Sequence, residues 1–254
     1  MHQGSYDKME QFCSTFLSSK KDEKLRILDL GSQDVNGSYK PIFSNPNWTY
    51  VGLDMIEAKN VDIIIKDIYH WQEVESNSVD VLVSGQAFEH IEFIWLTILE
   101  IARVLKPGGM CCLIAPSAGH EHKYPYDCWR IYPDGFKAIA NWADLEILEA
   151  KTQWEAEGYA DCSDNWKDSR LIVRKKEVST ENAEILTKNS FLQCYEKMHN
   201  AEIGTRVDAK KLDRFFEEVN KISHSLCLKS DKDHAYLANS GFYSFHPAWN
   251  KYTS

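Results

Sequence analysis

The chain has 254 residues, of which 43% are hydrophobic and 26% charged, enough for one large globular domain or one domain with an extension. Its 29 basic and 38 acidic side chains give a formal charge of −9, which argues against nonspecific nucleic-acid binding. No apolar run approaches the roughly 20 residues of a membrane span, and the start MHQGSYDKMEQF has no signal-peptide core, so the sequence reads as that of a cytoplasmic protein with no membrane partner. Its seven cysteines include no C-x-x-C pair, which leaves free thiols as the expectation.

From the N-terminus, Met9, Phe12, Phe16 and Leu17 recur at helical spacing, which predicts an amphipathic helix over Tyr6 to Ser18 capped by Ser5. RILDLG (Arg26 to Gly31) is a short apolar run that stops at glycine, as a strand buried on both faces does. WTYVGLD (48–54), VDIIIKD (61–67), SVDVLVSG (78–85) and GMCCLIAP (109–116) repeat that character. Ile91, Ile94, Trp95, Ile98, Ile101, Ala102 and Leu105 form a stripe of period 3.6, and LKPGG reads as the helix stop and the turn into the next strand.

A helix around Gly135 to Trp142 comes next, and LEILEAKTQWEA and SRLIVRKK supply two more strands. Strands alternating with helices predict parallel βαβ units in a Rossmann-like, doubly wound sheet of about seven strands, of class α/β. The expected divisions are an N-terminal cap helix (1–25), a Rossmann-like domain (26–176) and a C-terminal helical and irregular extension (177–254) packed on the same domain. In the extension, Ile185 to Tyr195 and Leu212 to Ile222 read as helices.

Open parallel sheets bind ligands beyond the carboxyl ends of their strands. Gly31 ends the first strand, where a missing side chain permits a tight turn and close approach to a ligand. Asp54 ends the second strand 23 positions later, a spacing that suits a carboxylate receiving two ribose hydroxyls. Asp67, after the third, is placed to accept from an adenine amino group. The layout suits a nucleoside with no required diphosphate.

These residues resemble the class I S-adenosylmethionine-dependent methyltransferases. ILDLGSQ stands where that family has its glycine-rich loop, GLD where it has its ribose acid, and KDI where it has its adenine segment. VDVLVSGQAFEH corresponds to its fourth-strand motif and LKPGG to the turn before its fifth strand. The resemblance implies S-adenosylmethionine as cofactor, held by Gly31, Ser32, Gln33, Asp54, Met55, Asp67, Ile68 and Gln86. Related enzymes close an N-terminal helix over the cofactor, which adds His2 and Tyr6. The family commonly has glycine two residues after Gly31, where this chain has Gln33, and Gly37 restores freedom later in the turn.

GHEHKYPYDCWRIYPDGF (119–136) lies after the fifth strand, at the acceptor end of the cleft. It resembles a run in methyltransferases of bacterial surface-glycan and natural-product pathways. That resemblance implies a small-molecule acceptor, sugar-bearing or phosphorylated (a phosphoramidate included), methylated on oxygen during capsule or other surface-polysaccharide biosynthesis. His120, His122, Lys123, Tyr124 and Asp127 are the expected acceptor contacts, with Arg130 and Tyr126 as catalytic partners of His90, a base for a hydroxyl proton. A plainer reading pairs Arg130 with Asp127 or Asp134. His120 and His122 share the spacing of a metal pair but the sequence identifies no third ligand, so no metal is assigned. A nicotinamide-dependent oxidoreductase and a noncatalytic methyltransferase-like binding subunit remain as alternatives.

Overall fold

The computed structural model describes residues 2–177. The two helices expected beyond residue 177 and the tail after them lie outside the described residues. The chain divides between Glu177 and Val178, and every described residue belongs to the first unit.

Seven strands form one sheet: β1 (Leu25–Leu30), β2 (Trp48–Asp54), β3 (Ile63–Ile64), β4 (Val79–Gly85), β5 (Leu105–Ala115), β6 (Glu146–Thr152) and β7 (Ser169–Arg174). Their spatial order is β3-β2-β1-β4-β5-β7-β6, with β7 antiparallel to both of its neighbours and the other pairs parallel. Three α-helices accompany them, α1 (Gln3–Phe16), α2 (Ile94–Val104) and α3 (Pro133–Trp142). The Rossmann-like sheet is as expected, but it is mixed. The connections from β1 through β4 carry loops and one short 3-10 turn in place of crossover helices.

Side chains alternate along the central strands and so serve two cores. Leu28, Leu30, Leu82, Cys111 and Leu113 point to the face covered by α2 and α3. Ile27, Val81, Val83, Cys112 and Ile114 point to the other face, where Met9 and Phe12 of α1 join Tyr39 and Phe43. This double burial is why β1, β4 and β5 read as nearly continuous apolar runs. It also makes α1 a layer of the fold. The helix starts three residues earlier than the apolar pattern indicates, and Ser5 lies buried inside it, bonded to the Tyr39 hydroxyl at 2.6 Å.

Three other elements differ from the sequence pattern. The third strand shrinks to two residues at the sheet edge. LKPGG lies within β5, where pairing jumps from Val79↔Leu105 to Val81↔Met110, so residues 106–109 loop out with Gly108 at φ +76°. The stripe from Ile91 becomes a helix only at Ile94, after a 3-10 turn at Phe88–His90 and an extended Ile91. The carbonyl of Glu89 accepts the amides of Cys128 and Trp129, at 2.7 and 3.3 Å, and is thereby taken out of any helical ladder. The described cysteines, Cys13, Cys111, Cys112, Cys128 and Cys162, are all free thiols. No described helix is long and apolar enough to cross a membrane.

Candidate functional site

Strand order reverses between β1 and β4, and the crevice opens beyond their carboxyl ends. Gly31 has φ +77°, and a Cβ there would lie 2.6 Å from the Cβ of Ala87, the second residue after β4. Only glycine meets both demands.

The turn after β1 is stitched to the loop after β2. Ser32 Oγ donates to the Asn60 carbonyl at 3.0 Å and Asn60 Nδ2 to the Ser32 carbonyl at 2.9 Å. The Asp34 amide donates to the Lys59 carbonyl at 3.0 Å. Asp54 Oδ1 accepts from the Met55 amide at 2.7 Å and Oδ2 from the Gln33 amide at 3.2 Å. These bonds fix the carboxylate beneath the turn, and each oxygen keeps acceptor capacity. Val35, Met55 and Ile56 stand exposed around it, an apolar rim beside an acid, which suits a nucleoside.

The remaining expected cofactor residues are less direct. Ser32 is buried and its hydroxyl is spent on Asn60, so its part is to shape the turn. Asp67 Oδ1 accepts from the Tyr69 amide at 2.8 Å, and Ile68 packs partly buried against the main core. Gln86 has a left-handed backbone, φ +59°, and its amide donates to Ser5 Oγ and to Asp168 Oδ1 at 3.3 and 3.2 Å. Tyr6 packs on the second core. His2 Nε2 lies 3.5 Å from Asp168 Oδ2, whose carboxyl is pushed above the usual range first by burial. His2, Ser5, Gln86 and Asp168 thus form one polar cluster between α1 and the end of β4. Below the turn, Asp29 is buried with its carboxyl raised to about 7, chiefly by burial, while the Tyr50 hydroxyl donates to it.

The acceptor end is built differently. Asp127, with its side chain 2% exposed, receives Arg130 in a bidentate pair, Nη1 to Oδ1 at 2.6 Å and Nη2 to Oδ2 at 2.8 Å, and the His122 amide at 2.6 Å. The Arg130 pairing holds the Asp127 carboxyl well below its ordinary value. Arg130 Nη2 also donates to the His120 carbonyl at 2.6 Å. Of the two acids the sequence offers Arg130, it takes Asp127; Asp134 pairs with Lys137 at 3.0 Å.

The acceptor loop therefore organises itself around Asp127 and Arg130, and presents Tyr124 and Tyr126 as exposed rings. Lys123 pairs with Glu121 at the surface. Tyr124 reaches back across the cleft, its hydroxyl donating to Gln33 Oε1 at 3.2 Å. Tyr126 contributes its backbone: its carbonyl meets His90 Nδ1 at 2.5 Å. A carbonyl only accepts, so Nδ1 carries the hydrogen and, in the neutral ring, Nε2 has the free lone pair.

His120 and His122 both pack on Trp166, with ring centroids 5.1 and 4.6 Å away, and His122 also sits edge-on to His90 with ring centroids 5.0 Å apart. Burial is the first cause holding the His122 imidazole below its ordinary pKa, with the neighbouring His90 and Arg130 adding to it against Asp127. The residue that sequence reasoning missed is Glu89, fully buried beside both rings. Burial pushes its carboxyl up to about 8. Its one sequence signal was an acid next to His90 at the end of the fourth-strand motif.

Residues 35–113 match a family described as "Methyltransferase domain". No curated protein sequence is similar to the chain. Among solved structures, the CurJ carbon methyltransferase superposes with a TM-score of 0.51 at 15% identity, covering 68% of this chain. This chain spans 54% of the length of that one. A 1,6-didemethyltoxoflavin-N1-methyltransferase from Burkholderia thailandensis, solved with its substrate and S-adenosylhomocysteine, gives 0.47 at 11% identity over 66% of this chain and 78% of its own. A SAM-dependent methyltransferase from Aquifex aeolicus gives 0.44 at 16% over 68% and 97%. The fold is that of a Rossmann-like methyltransferase, and the matched segment runs from the turn after β1 through β2, β3, β4 and α2 into β5, stopping short of residues 119–136.

Proposed function

We propose that this chain, an S-adenosylmethionine-dependent methyltransferase, methylates an oxygen of a small acceptor that is sugar-bearing or phosphorylated, of the kind used in surface-polysaccharide biosynthesis. The cofactor would supply a methyl group made electrophilic by its sulfonium. The residues present fit it: Gly31 lets the turn after β1 pass tightly against Ala87, and Asp54 keeps acceptor capacity for ribose hydroxyls, with Val35, Met55 and Ile56 exposed on the same two loops. Gln33, in place of a second glycine, lends its amide to Asp54 and its side-chain oxygen to Tyr124. A nicotinamide-dependent oxidoreductase finds no support in the first loop, which lacks a diphosphate-binding glycine pattern, and the family match points elsewhere.

The observation that carries the acceptor reading is the placing of His90. It lies one 3-10 turn beyond Ala87, the residue that abuts Gly31, and its Nδ1 is fixed by the Tyr126 carbonyl. Its Nε2 is then presented to the acceptor end, where an alcohol needs its proton taken and an anionic oxygen needs a partner. Asp127 and Arg130 hold the loop, and Lys123, Tyr124 and Tyr126 offer the donors that a phosphate or sugar requires. Catalysis then comes mainly from alignment of the two reactants.

The test is mass spectrometry of products after incubation with S-adenosylmethionine and a panel of sugar phosphates, nucleotide sugars and phosphoramidates. A mass gain of one methylene located on oxygen is expected. Methylation on nitrogen or carbon, or S-adenosylhomocysteine binding with no turnover of any acceptor class, would sink the reading, the second in favour of a binding subunit.

A further inference from the structure

Three side chains meet at the acceptor end in a way that methyl transfer alone does not require. Glu89 is 0% exposed, and neither of its carboxylate oxygens has a hydrogen-bond partner. Taking a carboxylate out of water without a partner is expensive. Its Oε1 lies 3.7 Å from His90 Nε2 and 4.0 Å from His122 Nε2, and among the described residues no lysine or arginine comes within ion-pair distance of it. One ligand atom from each of the three residues lies within 4.8 Å of the others.

The far side of each ring is held by the protein. His90 Nδ1 is on the Tyr126 carbonyl, which leaves Nε2 as the lone-pair nitrogen. Arg130 Nη2 donates a long bond to His122 Nδ1 at 3.5 Å, and Asp127 Oδ2 lies 3.4 Å from the same nitrogen; binding an ion through Nε2 requires the ring to carry its hydrogen on Nδ1 and turn it to Asp127. The carbonyl behind His90 is backing of the kind by which proteins orient histidine ligands, and Asp127 stands where it can serve His122 in the same way once Nδ1 of that ring carries the hydrogen. The two rings are 15% and 33% exposed. The carboxylate thus makes a buried corner, and the rings open towards the cleft.

We infer that Glu89, His90 and His122 form a binding site for a first-row divalent transition-metal ion, with its remaining coordination positions open to an oxygen of the acceptor. Two imidazole nitrogens with one carboxylate suit zinc, iron(II), cobalt(II) or manganese(II), whereas magnesium and calcium favour all-oxygen sets. Bonds of about 2.1 Å put donor atoms about 3.0–3.4 Å apart, so the carboxylate and each ring need close by about 0.3–1.0 Å, and the two ring nitrogens, which lie within 4.8 Å of each other, by at most about 1.8 Å.

An ion there lowers the pKa of a bound hydroxyl, whose proton then passes to solvent, or offsets the charge of a bound phosphate-type oxygen. His90 in this arrangement acts through the ion and not as a free base. This catalytic role rests on the proposed methyl transfer; binding of the ion does not.

The experiment uses the untagged full chain, dialysed against chelator and titrated with Zn2+ by calorimetry and with Co2+ by visible absorption. One ion per chain is expected, with cobalt bands typical of nitrogen and oxygen ligands and no displacement by equimolar Mg2+. Glu89→Gln, nearly isosteric, and His122→Ala should each weaken Zn2+ binding about a hundredfold, and Asp127→Asn about tenfold. S-adenosylhomocysteine affinity in Glu89→Gln should match the parent protein, which reports an intact fold and donor end. The chain has nine histidines, so dependence on these particular residues is decisive. Absence of Zn2+ and Co2+ binding in the parent protein, or equal binding in both variants, overturns the inference. One-to-one Zn2+ binding that depends on Glu89 and His122, without any S-adenosylhomocysteine binding, upholds the metal site and removes the methyltransferase reading instead.

Discussion

At the carboxyl ends of β1 and β2 the bonds that shape the expected donor end engage the main chain. Four of them join the turn to Asp54 and the loop beyond β2, one between main-chain groups and three between a main-chain group and the side chain of Ser32, Asn60 or Asp54. At the ends of β4 and β5 the surface is made of side chains that hold one another: Asp127 with Arg130, His122 beside Asp127, and His90 on the Tyr126 carbonyl, with Glu89 enclosed beneath. A backbone-built end accepts a ligand whose features are constant, whereas an end built from side chains can be refitted to new acceptors while the strands stay put.

The largest expected effect tests the acceptor end. His90→Ala should lower turnover by roughly a hundredfold or more and leave S-adenosylhomocysteine affinity unchanged, as read by steady-state kinetics beside calorimetry. A fall in donor affinity of similar size would erase the division between the two ends. The reciprocal change is Asp54→Ala, which should weaken the cofactor by about 1.5–3 kcal/mol while sparing any metal bound at the other end. Parent-like affinity would place the ribose acid elsewhere.

A pH experiment sharpens the picture beneath the donor turn. Asp29 holds its proton up to about 7 in the folded chain, against roughly 3.9 when unfolded, so its contribution to stability is complete below pH ~4 and is lost as pH rises through about 7. The melting temperature should therefore fall between about pH 4 and 7 and level off above that. Asp29→Asn, still able to accept the Tyr50 hydroxyl, should remove part of that slope and be more stable at pH 8 by on the order of 2 kcal/mol. Parallel pH curves for the two proteins would mean that Asp29 is ionised throughout. The smallest effect expected is for Tyr124→Phe, which loses the bond to Gln33 and should shift cofactor affinity by only about 0.5–1 kcal/mol.

Legibility in the sequence followed the same division. The first, fourth and fifth strands could be read because burial on both faces writes a nearly continuous apolar run, and Gly31 and Asp54 because they end the first and second strands. The acceptor end could be located but not resolved. Nothing in EHKYPYDCWR indicates that His122 reaches His90 as well as the Trp166 ring it shares with His120, or that Arg130 selects Asp127 over Asp134, because those choices are set by contacts distant in the chain. Glu89 was hidden for a related reason: a buried acid in a strand-end motif looks like a solvent-facing helix start until the loop from β5 folds over it. The late start of α2 has the same cause, since the carbonyl that should have continued the helix is given to Cys128 and Trp129.

The bond between Tyr124 and Gln33 spans the two ends, and joins the loop after β5 to the turn that holds Asp54 through the Gln33 amide. Two reactants that must occupy adjoining seats are thereby put in energetic communication. If an incoming acceptor draws Tyr124 towards itself, the donor turn loses a restraint, and by reciprocity the bound donor alters the affinity for the acceptor by the same factor. On the proposed function, loss of the Tyr124 hydroxyl should make the affinities for the two reactants more nearly independent of each other.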